Sequence, residues 1–187
     1  MEQDAWRAQH YALLATLLSA PPSQNLLDEI ARIDITDPDS EMGRAWQGLK
    51  QVAGAVQADE LEQEYNDLFI GLSEGEVIPY GSYYQTGFLN EKPLAALRQD
   101  LALLGLERQQ DKKEPEDHIA AECDVMRLIL TAQGTPVIDA ATFFKKHISP
   151  WANQFFADLA KADSAVFYRQ LAHVASVFLQ SELQSIK

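Results

Sequence analysis

Three observations predict an all-α fold, a single globular domain of about nine helices. Apolar residues recur at helical spacing along most of the chain. No period-two segment of any length interrupts them, and proline, glycine or capping residues fall where helices would start and stop. With 187 residues, 47% of them apolar, the chain is long enough to bury one good core. Residues 1–187 therefore read as one domain, with no internal repeat and no low-complexity tract.

Trp6, Leu13, Leu14, Leu17 and Leu18 mark a first helix that stops at Pro21-Pro22. Ser23 is placed to cap a short second helix carrying Leu26, Leu27 and Ile30. After a loop over 34–40, Met42 to Val56 spell a third, and Asp59 begins a fourth with Leu61, Tyr65, Leu68 and Phe69 inward. Residues 71–90 break the pattern: Gly71, Gly75, Pro79, Gly81 and Gly87 alternate with Val77, Ile78, Tyr80, Tyr83, Tyr84 and Phe88. A stretch this apolar is expected to be an ordered loop packed on the core, with a minority of its side chains facing a groove.

Pro93 then opens a helix through Leu94, Leu97, Leu101 and Leu104, closed by Gly105. The charged run 107–113 reads as an exposed connector and candidate hinge. The next helix is expected to open at Glu114-Pro115-Glu116-Asp117-His118 and to run through Glu122 and Met126 to Gly134. Asp139 starts another, containing Phe143, Phe144 and His147, and Ser149-Pro150-Trp151 restarts the chain before Phe155 and Phe156. A last helix from about Ser164 buries Val166, Phe167, Leu171, Val174, Phe178 and Leu179.

The chain carries 15 basic and 28 acidic residues, a net charge of −13. That balance argues against nucleic acid and anionic membranes and suits a basic peptide or protein. The single cysteine, Cys123, allows no disulfide within the chain and fits a reducing compartment. The N-terminus is acidic where a signal peptide would be basic, and no apolar run reaches membrane-spanning length, so a cytoplasmic location is expected.

The segment 114–122 carries the chemistry. Glu116 and Asp117 place negative charge at the positive end of a helix, and His118 and Glu122, four apart, share a face with Met126. Such a mouth is suited to a basic ligand; its plainer role is to cap and solubilise the helix. The neighbouring carboxylates are expected to favour the charged form of His118, which suits holding a ligand better than turning one over. The chain has no phosphate loop and no dinucleotide fingerprint. Its four histidines are not in the paired Glu-x-x-His pattern of di-iron bundles. No cofactor, metal site or catalytic set is expected.

Three ordered stretches resemble the TorD/DmsD/NarJ-type redox-enzyme maturation proteins, cytoplasmic chaperones of molybdenum enzymes. Glu64-Tyr65-Asn66-Asp67-Leu68-Phe69-Ile70-Gly71 is similar to that family's Tyr-x-x-Leu-Phe-x-Gly. Val77 to Tyr84 resembles its Pro-Tyr/Trp-x-Ser-x-Tyr loop, and Glu114 to Glu122 its Glu-Pro-x-Asp-His-x-x-x-Glu signature. Phe143-Phe144 and His147 leading to Trp151 form a fourth, looser similarity.

The resemblance implies a non-enzymatic protein. Such a protein binds the twin-arginine signal peptide of a molybdoenzyme precursor and holds it until the molybdopterin cofactor is inserted, preventing premature export. Reductases for trimethylamine N-oxide, dimethyl sulfoxide or nitrate, and formate dehydrogenase, are among the clients it implies. Carried onto this sequence, it makes Asp117 and His118 the binding hot spot, with Glu114, Pro115 and Glu122 beside them. Pro79, Tyr80, Ser82 and Tyr84 line the groove, and Phe69 is expected to add apolar surface for the peptide. A monomer that also forms homodimers is in keeping with the resemblance. The competing readings are a small metal-dependent or acid-base enzyme centred on Asp117, His118 and Glu122, and a subunit permanently packed on a partner.

Overall fold

The computed structural model describes residues 2–71, 75–109 and 114–185. In chain order they form α1 (Glu2–Ser19), α2 (Gln24–Ala31), α3 (Glu41–Ala53), α4 (Ala58–Tyr65), α5 (Gly81–Thr86), α6 (Lys92–Leu103), α7 (Ile119–Thr131), α8 (Ala140–Phe143), α9 (Ala152–Lys161) and α10 (Phe167–Ser185). α4 continues into a π-helical turn, Asn66–Ile70, and α8 into a second, Phe144–Ile148. The fold is all-α as expected, with ten helices among the described residues where about nine were anticipated. Residues 110–113 of the expected hinge and 72–74 of the aromatic loop lie outside the described residues.

Most helix ends follow from local chemistry. The Ser23 and Ser40 hydroxyls accept the backbone N–H groups of Leu26 and Gly43, and the Asp139 carboxylate accepts that of Thr142 at 2.7 Å. Pro93 sits in the first turn of α6, and Gly105, at φ +70°, follows its end. Three expectations need correction. α4 starts one residue before Asp59, through a reciprocal cap between Gln57 and Glu60. The stretch 71–90 is not all loop, because Gly81 to Thr86 wind into α5. The helix expected to open at Pro115 begins only at Ile119, since 115–118 form a tight turn closed by the His118 N–H on the Pro115 carbonyl.

The chain gathers into two compact units, one of Met1–Ser19 with Pro79–Ala152 and the other of Ala20–Ile78 with Asn153–Lys187. In the first, α1 packs along α7, α5 lies against α6, and α8 with its π turn lies against α7. Its core holds Tyr11, Leu14, Leu97, Ile119, Met126, Phe143 and Trp151, all buried. Each such side chain contributes roughly 1.5–3 kcal/mol through removal from water.

In the second unit α10 and α2 pack on α3. The π turn after α4 places Phe69 edge-on to Tyr168, with ring centroids 5.3 Å apart, and near Tyr65 at 5.0 Å. Tyr65 and Leu68 are core residues. Val166, expected on the buried face, is 57% exposed because it precedes the first turn of α10. That helix is capped from a distance. The Glu64 carboxylate accepts the N–H groups of Val166, Phe167 and Tyr168 at 2.8, 3.2 and 2.9 Å. It thereby satisfies donors that a helix start otherwise leaves to water. Glu76 ties the preceding turn through the Ser164 N–H, at 3.1 Å, and the Ser164 hydroxyl.

Replacing Glu64 with Ala removes three charge-assisted bonds, and urea denaturation is expected to show a loss of about 2 kcal/mol. An unchanged midpoint would mean that the cap contributes nothing.

Candidate functional site

Two of the stretches singled out in the sequence meet in the first unit. Residues 79–81 run antiparallel to 117–119: the Ile119 N–H donates to the Pro79 carbonyl at 3.0 Å and the Gly81 N–H to the Asp117 carbonyl at 2.8 Å. This leaves Tyr80 opposite His118 in an isolated bridge, the only extended pairing among the described residues. Each arm then starts a helix and helps to cap one. The Asp117 carboxylate accepts the Ser82 N–H at 2.7 Å, supplying the cap that α5 lacks from its own N-cap residue. His118 caps α7 by accepting the Ala120 N–H on Nδ1 at 3.1 Å.

That bond fixes the imidazole. With Nδ1 accepting a backbone N–H, the proton of the neutral ring sits on Nε2. Burial lowers the His118 pKa to about 4, outweighing the opposing pull of Glu114 and Asp117. The expectation of a charged His118 is therefore reversed: desolvation beats the neighbouring carboxylates. Its ring stands edge-on to Tyr80, centroids 5.1 Å apart. Burial also pushes the Tyr80 hydroxyl up, helped by Glu114 and Asp117.

One turn into α7, Glu122 is buried and accepts the Trp151 indole N–H at 3.1 Å. Burial raises its pKa well above the ordinary value against the effect of that bond, and Asp117 raises it further. Burial thus favours its neutral form. The indole lies so close to Gly81 that a Cβ there would come within 2.9 Å of its Nε1, which is why the first residue of α5 has no side chain. Tyr84 stacks on Trp151, with centroids 5.7 Å apart and planes inclined by 29°.

Beside these groups lies a cavity of about 110 Å³ lined by Gln85, Pro93, Ala96, Asp117, Glu122, Lys146 and His147. Asp117 Oδ1 is buried and, among the described residues, has no hydrogen-bond partner. The second π turn sets Lys146 and His147 on one carboxylate oxygen of Asp100, each at 2.7 Å. Burial works against the Asp100 charge, but these two bonds outweigh it and hold its carboxyl below the usual range. Burial lowers the pKa of His147 despite Asp100.

Of the ten residues expected at the site, nine lie in this unit. Asp117, His118, Glu122, Pro79 and Ser82 are buried, Tyr80, Tyr84 and Pro115 half-buried, and Glu114 exposed. Phe69 belongs to the other unit. Glu116, counted among the acidic groups for a basic ligand, is held by Arg98, whose Nε and Nη2 donate to it at 3.0 and 2.8 Å. Sequence reasoning missed Asp100, Lys146 and Gln85. An aspartate set among the apolar positions Leu97 and Leu101 was the available signal. Among the described residues, no three His, Cys, Asp or Glu side chains are grouped to hold a metal ion.

The His118 site makes stability depend on pH. Unfolded, the ring takes up a proton near pH 6.5, and folded, near 4. Its contribution is present above the first value and lost as pH falls through the second. Denaturation across pH 4 to 7.5 is expected to show this loss, at most about 3 kcal/mol. The His118→Asn variant keeps a capping acceptor and should flatten the slope. Equal slopes in the two proteins would place the acid sensitivity elsewhere.

Comparison with known proteins follows the same lines. The nitrate reductase delta subunit family matches residues 36–157. The chaperone protein TorD of Vibrio atlanticus is 26% identical over 200 residues, covering 95% of this chain and 93% of that protein. The probable Tat proofreading chaperone DmsD of Haemophilus influenzae is 31% identical over 122 residues, 64% of this chain and 59% of the relative. A solved structure from Archaeoglobus fulgidus, assigned to redox enzyme maturation, superposes with a TM-score of 0.62 at 19% identity, covering 93% of each chain. The matched segment contains all three of the ordered motifs, including both arms of the Tyr80–His118 bridge, and the chain belongs to the nitrate reductase delta subunit family.

Proposed function

We propose that this chain, a molybdoenzyme maturation chaperone by family, binds the twin-arginine signal peptide of its client precursor. It holds that precursor in the cytoplasm until molybdopterin is inserted. The observation that carries this reading is the Tyr80–His118 bridge, which brings the acidic 114–118 turn and the aromatic 79–84 stretch onto one surface. A peptide with a basic front and an apolar run needs both beside each other.

Within that surface the roles divide by exposure. Glu114, Tyr80 and Tyr84 offer the accessible acid and aromatic faces, and Pro115 shapes the turn. Asp117, His118, Glu122, Pro79 and Ser82 hold those faces in register, and the unpaired Asp117 oxygen is an acceptor for an arginine that reaches the cavity.

The role is non-enzymatic. His118, Asp117 and Glu122, the groups an acid-base enzyme would need, are each engaged in holding the fold: His118 and Asp117 by capping helices, Glu122 by binding Trp151. The same commitments disfavour metal-dependent catalysis at these three residues. No helix of the described residues is long and apolar enough to cross a membrane. The chaperone acts as a monomer that also forms homodimers.

Calorimetric titration with signal peptides of candidate molybdoenzymes tests the reading. Saturable binding is expected for one peptide, weakened at least about tenfold by Arg-Arg to Ala-Ala replacement in the peptide or by Asp117→Ala/His118→Ala in the protein. Failure of every intact peptide to bind would overturn it.

A further inference from the structure

The turn that closes α5 spends its hydrogen bonds on holding apolar side chains out in water. Tyr83, Phe88 and Leu89 are 37%, 70% and 47% exposed and fall within seven consecutive residues. Their backbone is tied down. The Gly87 N–H donates to the Tyr83 carbonyl at 2.7 Å, with Gly87 at φ +81°. The Thr86 hydroxyl donates to the Ser82 carbonyl at 2.8 Å and accepts the Phe88 N–H at 3.2 Å. The fully buried Ser82 hydroxyl accepts the Asn90 N–H at 3.2 Å, and Asn90 stands at φ +62°, a conformation few side chains adopt.

A phenylalanine this exposed adds nothing to the core. On a backbone already ordered, it offers apolar contact at little further entropic cost to a partner.

We infer that Tyr83, Phe88 and Leu89 form the docking surface for the apolar run of a peptide whose cationic residues lie at the Glu114–Tyr80 edge. This assignment rests on the peptide-binding reading above. Charge complementarity and continuity select the occupant. α5 starts at the Tyr80–His118 bridge, where Glu114 is exposed, and its last turn leads directly to Phe88. Six helical residues span about 9 Å. An extended peptide covers that distance in about three residues. The surface therefore fits a peptide whose apolar run begins about three residues after its cationic pair.

Two synthetic peptides test this with the full chain. Both carry an Arg-Arg pair; in one an apolar run starts three residues later, in the other serines replace that run. The unaltered chain is expected to prefer the apolar peptide by roughly tenfold or more. The Phe88→Ser/Leu89→Ser variant, altered at exposed positions and checked for an unchanged thermal midpoint, should bind the two peptides alike. A variant that keeps the original preference overturns the assignment while leaving the peptide-binding reading intact. No binding of either peptide by the unaltered chain overturns the assignment, and the peptide-binding reading falls with it when every intact signal peptide also fails to bind. A variant with unchanged peptide affinity but reduced self-association on sedimentation makes the turn a contact between copies and also overturns the assignment.

Discussion

The first unit depends on one carboxylate. Asp117 receives α5 twice, through its main-chain carbonyl on the Gly81 N–H and its side chain on the Ser82 N–H. Six residues beginning with glycine have little helical propensity of their own, and nucleating a short helix in water is unfavourable. A fixed acceptor at the first turn supplies what the local sequence lacks. Once α5 is set, Tyr84 lies on Trp151, Trp151 donates to Glu122, and Glu122 sits on the helix that His118 has capped. The groups form a closed circuit in which each bond orients the next.

Burial works on two groups of this circuit in a strongly acidic protein. Burial disfavours charge on both, raising the pKa of Glu122 and lowering that of His118. An ionised Glu122 facing Asp117 inside the unit would add repulsion to a desolvation cost. In its neutral form it accepts the indole bond at neither cost. The charge that remains outside, at Glu114, is then free of a competing histidinium next to it.

How much of this was legible depended on distance along the chain. Caps at Ser23 and Asp139 and the ends of α6 were readable because donor and acceptor are neighbours in sequence. α5 was hidden because its cap lies 35 residues away, at Asp117. The acidic motif was found by its composition, but its state was misjudged: counting carboxylates near His118 gave its charge, whereas burial, which no local pattern records, decides it. Likewise, the π turn that brings Lys146 and His147 onto Asp100 has no signature in spacing, although the aspartate among leucines was visible.

The cap of α10 by Glu64 has a consequence for the order in which the chain matures. Its three bonds join positions 102 to 104 apart, and each compact unit is assembled from two sequence segments that are not adjacent. A high mean sequence separation slows folding, because loop entropy must be lost before the contacts are gained. On the ribosome, the unit that bears the bridge has all its segments once residue 152 is made, whereas the other must wait for residues beyond it. For a protein that supervises the completion of another chain, vectorial synthesis leaves its own second unit to be completed last.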